Sequence, residues 1–227
     1  MPTSRYYGNL VIMGVILTTV QFSFVLTNFM NKYYEGNIFV IHYLDGLAGI
    51  LGSLIAHPVF KILKIRWAFI SSFSFALLFI ILFFLHQEEY LSSDWVNSLG
   101  YPESQFESGS QQDREYYKRC VIPFLIFMIK IAYGAVFLNS FQANYNKDVI
   151  FPFYKRTTSI GIINFIARAF TIGAPLVAEL ERPIPAYVLL SINSVALFVC
   201  FFLPSSQDEQ KADKEKQDRE NRLKRSM

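Results

Sequence analysis

An all-α, polytopic membrane protein with six transmembrane helices is the fold this sequence predicts, on three observations. Six apolar segments are each long enough to cross a bilayer core, which takes about 20 residues of helix. Hydrophobic residues make up 52% of the 227 positions, with 23 Phe and 13 Tyr, more apolar surface than the core of a soluble domain of this size can hide. Runs such as Phe73 to Leu85 carry no polar face, which excludes a soluble helical bundle.

The segments follow in order. The first, Gly8 to Met30, carries Thr18, Thr19, Gln21, Ser23, Thr27 and Asn28, hydroxyl and amide groups that read as bonds between helices. The second, Ile38 to Leu63, holds Asp45, with His42 and His57 read as capping its polar ends. The third is Trp67 to Leu85. An acidic insertion, residues 86–119, then separates it from the fourth, Val121 to Phe141. Within the insertion Leu91, Trp95 and Leu99 recur at i, i+4, i+8, predicting a short interfacial helix, and Gly100 to Gln112 reads as an irregular arm. The fifth segment is Thr158 to Leu180 and the sixth Pro185 to Leu203. Residues 1–204 thus form a membrane domain. The tail, 205–227, pairs Glu215 with Arg219, Asp218 with Arg222 and Glu220 with Lys224 at i, i+4, the pattern of a charged helix, and is a candidate docking element. The first segment is too long for a signal h-region and no small-residue cleavage site follows, so it is expected to remain in the protein.

Basic residues set the topology. Arg5, the Lys61, Lys64 and Arg66 connection, the Lys147, Lys155 and Arg156 connection and the basic tail all fall on one side of a six-crossing chain, while the long insertion opposite is acidic. The positive-inside rule puts both termini on the cytosolic-equivalent side. No basic stripe interleaved with aromatics points to nucleic acid. Cys120 and Cys200 fall at opposite membrane faces, which disfavours a disulfide. The histidines have no ligands at metal spacing, and neither a phosphate loop nor a nucleophile elbow occurs. Enzyme, metal and cofactor chemistry are therefore not expected.

Ionisable residues inside apolar segments are costly, at least about 2.5 kcal/mol each, and normally face a cavity or a partner. Three lie at depth here, away from the segment ends, Asp45, Lys130 and Arg168, with Asn139, Gln142 and Asn164 extending the polarity along segments four and five. A hydrophilic path between helices is one reading. A buried Arg168–Asp45 pair is the other.

The second half of the chain carries more specific motifs. Lys130-Ile-Ala-Tyr-Gly-Ala, then Asn146-Lys-Asp-Val-Ile-Phe-Pro-Phe-Tyr-Lys-Arg156, then Ile166-Ala-Arg-Ala-Phe-Thr-Ile-Gly-Ala-Pro175 and Cys200-Phe-Phe-Leu-Pro204 resemble the last three helices of the organic cation and anion transporter family of the major facilitator superfamily. Tyr43-Leu-Asp-Gly46 and Lys61-Ile-Leu-Lys-Ile-Arg66 follow the family more loosely. The resemblance spans nearly all of the membrane part and corresponds to the C-terminal six-helix half of such a transporter. It implies two inverted three-helix repeats. It also implies a substrate-facing set of Arg168, Lys130, Asp45 and Asn164, Arg168 matching a position where anion-carrying members have arginine, and gating connections at Lys61, Lys64, Arg66, Asp148, Lys155 and Arg156. Departures are clear: Lys147-Asp148 stands where the family has an acidic start, Phe153 replaces a threonine, and Ser53 falls where anion members carry a second lysine.

A half module of this kind has a polar inner face that lipid cannot solvate. A second copy, a separate half or other membrane subunits are the expected cover. The function expected is therefore a transporter-like accessory or structural subunit of a larger membrane complex, with transport lost or reduced. The alternative is a half-size transporter that pairs to move an organic anion. The mitochondrial inner membrane is one organelle membrane compatible with such a subunit. Deleting residues 207–227 is expected to leave membrane insertion intact and weaken partner association, measured as the mass of the detergent-solubilised particle; full retention of partners contradicts a docking tail.

Overall fold

The computed structural model describes residues 3–33, 38–87, 110–146, 150–181 and 184–204, and among these all regular structure is helical. Helix α1 is Thr3–Met30 and ends in a 3-10 turn, Asn31–Tyr33. α2 is Ile38–Gln87 and α3 is Ser110–Asn146. A second 3-10 turn, Phe153–Lys155, leads into α4, Arg156–Thr171; α5, Ala174–Ala178, and α6, Ile184–Cys200, complete the chain. Four stretches are long and apolar enough to cross a membrane: Tyr6–Met30, His42–Leu85, Val121–Asn144 and Phe153–Ala178. Ile184–Cys200 is a shorter apolar helix. These are the lengths and compositions of an integral membrane protein.

The stretch His42–Leu85 has 44 residues, about 66 Å as one straight helix and about twice a bilayer core. It is not straight. Lys64 has φ 62° and ψ 179°, far from helical values. Contacts on α3 show what happens there. Gln142 Nε2 lies 3.1 Å from His57 Nδ1, and Asn139 Nδ2 donates to Ser72 Oγ at 3.3 Å. On a straight helix Ser72 would lie about 22 Å beyond His57, yet Asn139 and Gln142 are neighbouring positions on α3. α2 is therefore a hairpin with Lys64 at its tip and two arms, residues 38–63 and 65–87. The first arm runs parallel to α3 and the second returns along it.

Close approach holds the first arm to α3. A Cβ built on Gly52 would stand 2.4 Å from the Ile131 carbonyl oxygen and 3.1 Å from the Gly134 Cα, and one on Gly134 would stand 3.3 Å from the Gly49 carbonyl oxygen. Small residues let backbones meet where lipid removes the hydrophobic drive for helix association. Two side-chain bonds work the same way: Asn139 donates to Ser72, and on the opposite side of the bundle Asn193 Nδ2 of α6 donates to Ser23 Oγ of α1 at 3.1 Å.

The connections sort to two ends. At one, the Tyr6 hydroxyl bonds Ser159 Oγ at 2.8 Å, Asn9 donates to the Ile150 carbonyl, and Lys155 Nζ sits 4.8 Å over the Tyr6 ring. The Arg66 guanidinium lies 5.8 Å over Phe201 at the end of α6. The start of α1, the hairpin tip and the 150–156 connection thus share one end. At the other, Lys32 pairs with Glu179.

Some expectations change. The fourth apolar segment begins at Val121, but α3 starts at Ser110, so the arm expected over Gly100 to Gln112 is helical from Ser110 onward. A polar first turn is invisible to a search for apolar runs. The Leu91, Trp95 and Leu99 helix, the tail 205–227 and Asp148 lie outside the described residues. Segment five is broken: α4 stops at Thr171 and α5 resumes at Ala174, because Pro175 has no N–H to continue the ladder. His57 sits inside the first arm and bonds Gln142 rather than capping an end. Cys200 is a buried free thiol.

Gly52→Ala is expected to destabilise the protein by about 1–3 kcal/mol, since overpacking at a backbone crossing forces the helices apart, whereas Gly161→Ala, with nothing within 4 Å of its Cβ position, is expected to be neutral. Thermal unfolding in lipid nanodiscs checks both; equal midpoints for the two variants contradict the crossing.

Candidate functional site

The site is built outward from the most buried charge. Lys130 of α3 has none of its side chain exposed, and its Nζ lies 2.6 Å from Asp45 Oδ2 on the first arm of α2, whose side chain is 12% exposed. α1 closes the cluster. Asn28 Oδ1 accepts from Lys130 Nζ, the Phe24 ring lies 4.9 Å beneath the ammonium, and Asn31 Nδ2 points to Asp45 Oδ2 at 3.4 Å. His42, 59% exposed, places Nδ1 3.8 Å from the same carboxylate oxygen. The ammonium is thus held by a carboxylate, an amide oxygen and a ring face, which is what a buried charge requires.

Helix geometry puts this cluster about 24 Å along α3 from Asn146, toward the end of the bundle opposite the Lys64 tip.

A half-exposed polar stripe of α1 connects it to a second group. Gln21 and Asn28 are seven residues apart and share a face; both are partly exposed. Gln21 Nε2 donates to Asn164 Oδ1 of α4 at 3.4 Å. Arg168 follows Asn164 by one turn on the same face of α4, is exposed, and makes no ion pair among the described residues. It lies about 18 Å along α4 from Arg156, near the middle of the bundle. The buried stripe of α4, Ser159, Ile163 and Ala167, faces elsewhere.

Of the four residues expected to face substrate, Lys130, Asp45 and Asn164 are joined through α1, and Arg168 adjoins Asn164. The alternative Arg168–Asp45 pair is corrected: Asp45 belongs to Lys130. α3 packs directly on the first arm of α2, whereas α4 packs chiefly on α1, which keeps its arginine from the acid. The polar face of α1 also divides. Thr19, Ser23 and Thr27, at i, i+4, i+8, are buried and include the bond to Asn193. Gln21 and Asn28 face the other way and belong to the site, a role the sequence reading missed; their seven-residue spacing, out of phase with the Ser23 stripe, was the available signal. Of the gating set, Lys61 and Lys155 are exposed, Arg66 and Arg156 are half-buried, and Lys64 forms the tip.

No family model, no curated protein and no solved structure matches the chain.

Lys130→Met strands a largely buried carboxylate and is expected to lower stability by about 3–5 kcal/mol, most of which returns in the double variant Asp45→Leu/Lys130→Met. Thermal unfolding of the purified protein checks this; a double variant as unstable as the sum of the singles contradicts the pairing.

Proposed function

We propose that this chain is a transporter-like membrane module of six crossings, arranged as two inverted three-helix repeats, that forms one wall of a path for an organic anion. Arg168 is the observation that carries the reading. An arginine in the last turn of α4 and well inside the apolar stretch Phe153–Ala178, exposed and without an ion-pair partner among the described residues, cannot rest against lipid tails at low cost. It calls for an anion, an acidic group or water in a cavity. A second six-helix unit facing α1 and α4 would enclose that cavity and bring the Gln21–Asn28 stripe inside it.

The pairing of helices supports the repeat. Let the crossings be α1, the two arms of α2, α3, α4 with α5, and α6. Exchange of the first three with the last three maps the contact of crossings one and five, Gln21 with Asn164, onto that of four and two, Lys130 with Asp45. It maps one and six, Ser23 with Asn193, onto four and three, Asn139 with Ser72. Three and six, Phe84 beside Tyr187 with ring centroids 5.0 Å apart, map onto themselves. The basic connections gathered at one end favour that end, and both termini with it, on the cytosolic-equivalent side.

One observation favours a second reading, a recruited subunit of a larger membrane complex without a transport cycle. Lys130 is already neutralised by Asp45, which leaves Arg168, of the two cations the resemblance would assign to substrate, as the one without an ion-pair partner among the described residues. In that reading a partner's acidic group covers Arg168.

Arg168→Ala decides between them. With the native particle reconstituted in vesicles, anion uptake is expected to fall about tenfold or more, the weight of one charge-assisted hydrogen bond. A recruited subunit would instead show no uptake in the parent and reduced particle assembly in the variant. Unchanged uptake together with unchanged assembly contradicts both.

A further inference from the structure

The Lys130–Asp45 pair has a chemistry that a purely structural ion pair does not need. Its two members are unequally placed: the lysine side chain has 0% exposure, whereas the aspartate side chain, largely buried, keeps 12% and has the mostly exposed His42 beside it. Asp45 is faced by Lys130 from α3, by neutral Asn31 from the turn after α1, and by His42 from its own helix. Among the described residues at that end, Lys32 and Glu179 pair with each other, and Glu181 is exposed. Lys130 keeps Asn28 Oδ1 and the Phe24 ring whichever carboxylate it holds. The acid is therefore the exchangeable partner and the lysine the fixed one.

Resting on the anion path proposed above, we propose that Lys130 and Asp45 form a carboxylate-exchange site that couples the anion to a proton. The carboxylate of the anion replaces Asp45 on Lys130 Nζ, and the displaced Asp45 Oδ2 takes one proton from a hydronium ion, releasing water. Charge decides the coupling. The resting site holds one cation and one anion; with substrate bound and Asp45 still ionised it would hold one cation and two carboxylates in a low-dielectric interior. Two carboxylates sharing one site drive one of them to protonate. With the proton the site is neutral again. Arg168, reached along the Gln21–Asn28 stripe, supplies the attraction that brings the anion in, and the ligand class is an organic carboxylate. His42, 3.8 Å from the acid and mostly exposed, is placed to pass the proton from the end of the bundle opposite Lys64.

The test uses the native particle in lipid nanodiscs, weakly buffered near neutral pH, mixed with radiolabelled benzoate or glutarate while a pH-sensitive dye reports protons. Nanodiscs enclose no volume, so leakage of the free acid does not interfere. About one proton is expected to disappear per anion bound in the parent protein, the linkage of the two equilibria. Asp45→Asn is expected to bind anion with no proton uptake, Lys130→Met to lose both, and Arg168→Ala to bind more weakly at the same proton ratio. Binding without proton uptake in the parent, or uptake that survives Asp45→Asn, overturns the coupling and leaves the anion path standing. Failure to bind either carboxylate overturns the path and the coupling together.

Discussion

A lysine ammonium with no exposure inside an apolar bundle is the constraint on which the rest of the structure depends. Lys130 is tolerable only where a carboxylate meets it, and Asp45 does so at 2.6 Å, with Asn28 and Phe24 supplying the remaining contacts. Two helices, α1 and the first arm of α2, supply that shell to a lysine carried by a third. Their relative depths are thereby fixed, because sliding α1 or the first arm of α2 by one turn, about 5.4 Å, would leave the charge bare. A mispaired register is penalised by desolvation rather than by lost packing. The pair therefore specifies an arrangement even if its net contribution to stability is small.

Around it, association relies on features suited to lipid. Gly52 and Gly134 bring two backbones close enough that a methyl group would strike a carbonyl, and the Asn139–Ser72 and Asn193–Ser23 bonds fasten the outer helices. Neither needs water to drive it. Much of the apolar surface is left exposed, and large side chains such as Phe165 and Phe170 on α4 are 75% and 64% exposed. Against that background an exposed Arg168 on the same helix, without an ion pair among the described residues, stands out chemically, because a charge on an apolar surface calls for water, an anion or protein.

Apolar run length made most of the fold legible, because a bilayer imposes it directly. Basic residues between the second and third runs marked the turn at Lys64, which a hydropathy window alone would read through as one 44-residue span. Element ends were less legible: Ser110 to Arg119 is helical but polar, and the break before Pro175 hides inside an apolar run. In the site, Lys130, Asp45 and Arg168 were each visible as ionisable residues at depth, but which of them pair was not. Pairing depends on which helices touch, and no spacing between Asp45 and Lys130 encodes that. The same reason hid Gln21 and Asn28, whose hydroxyl-bearing neighbours Ser23 and Thr27 point to the opposite side of α1.

Side-specific labelling of single cysteines tests the central claim, that α2 is a hairpin crossing the membrane twice with the charged cluster far from its tip. Lys64→Cys and His42→Cys, each in a background with Cys120 and Cys200 replaced, would be treated with an impermeant maleimide on sealed, oriented vesicles. The structure predicts that the two label from opposite sides, with Lys32→Cys labelling from the side of His42→Cys. Labelling of Lys64→Cys and His42→Cys from the same side, or no access to Lys64→Cys from either, would contradict it.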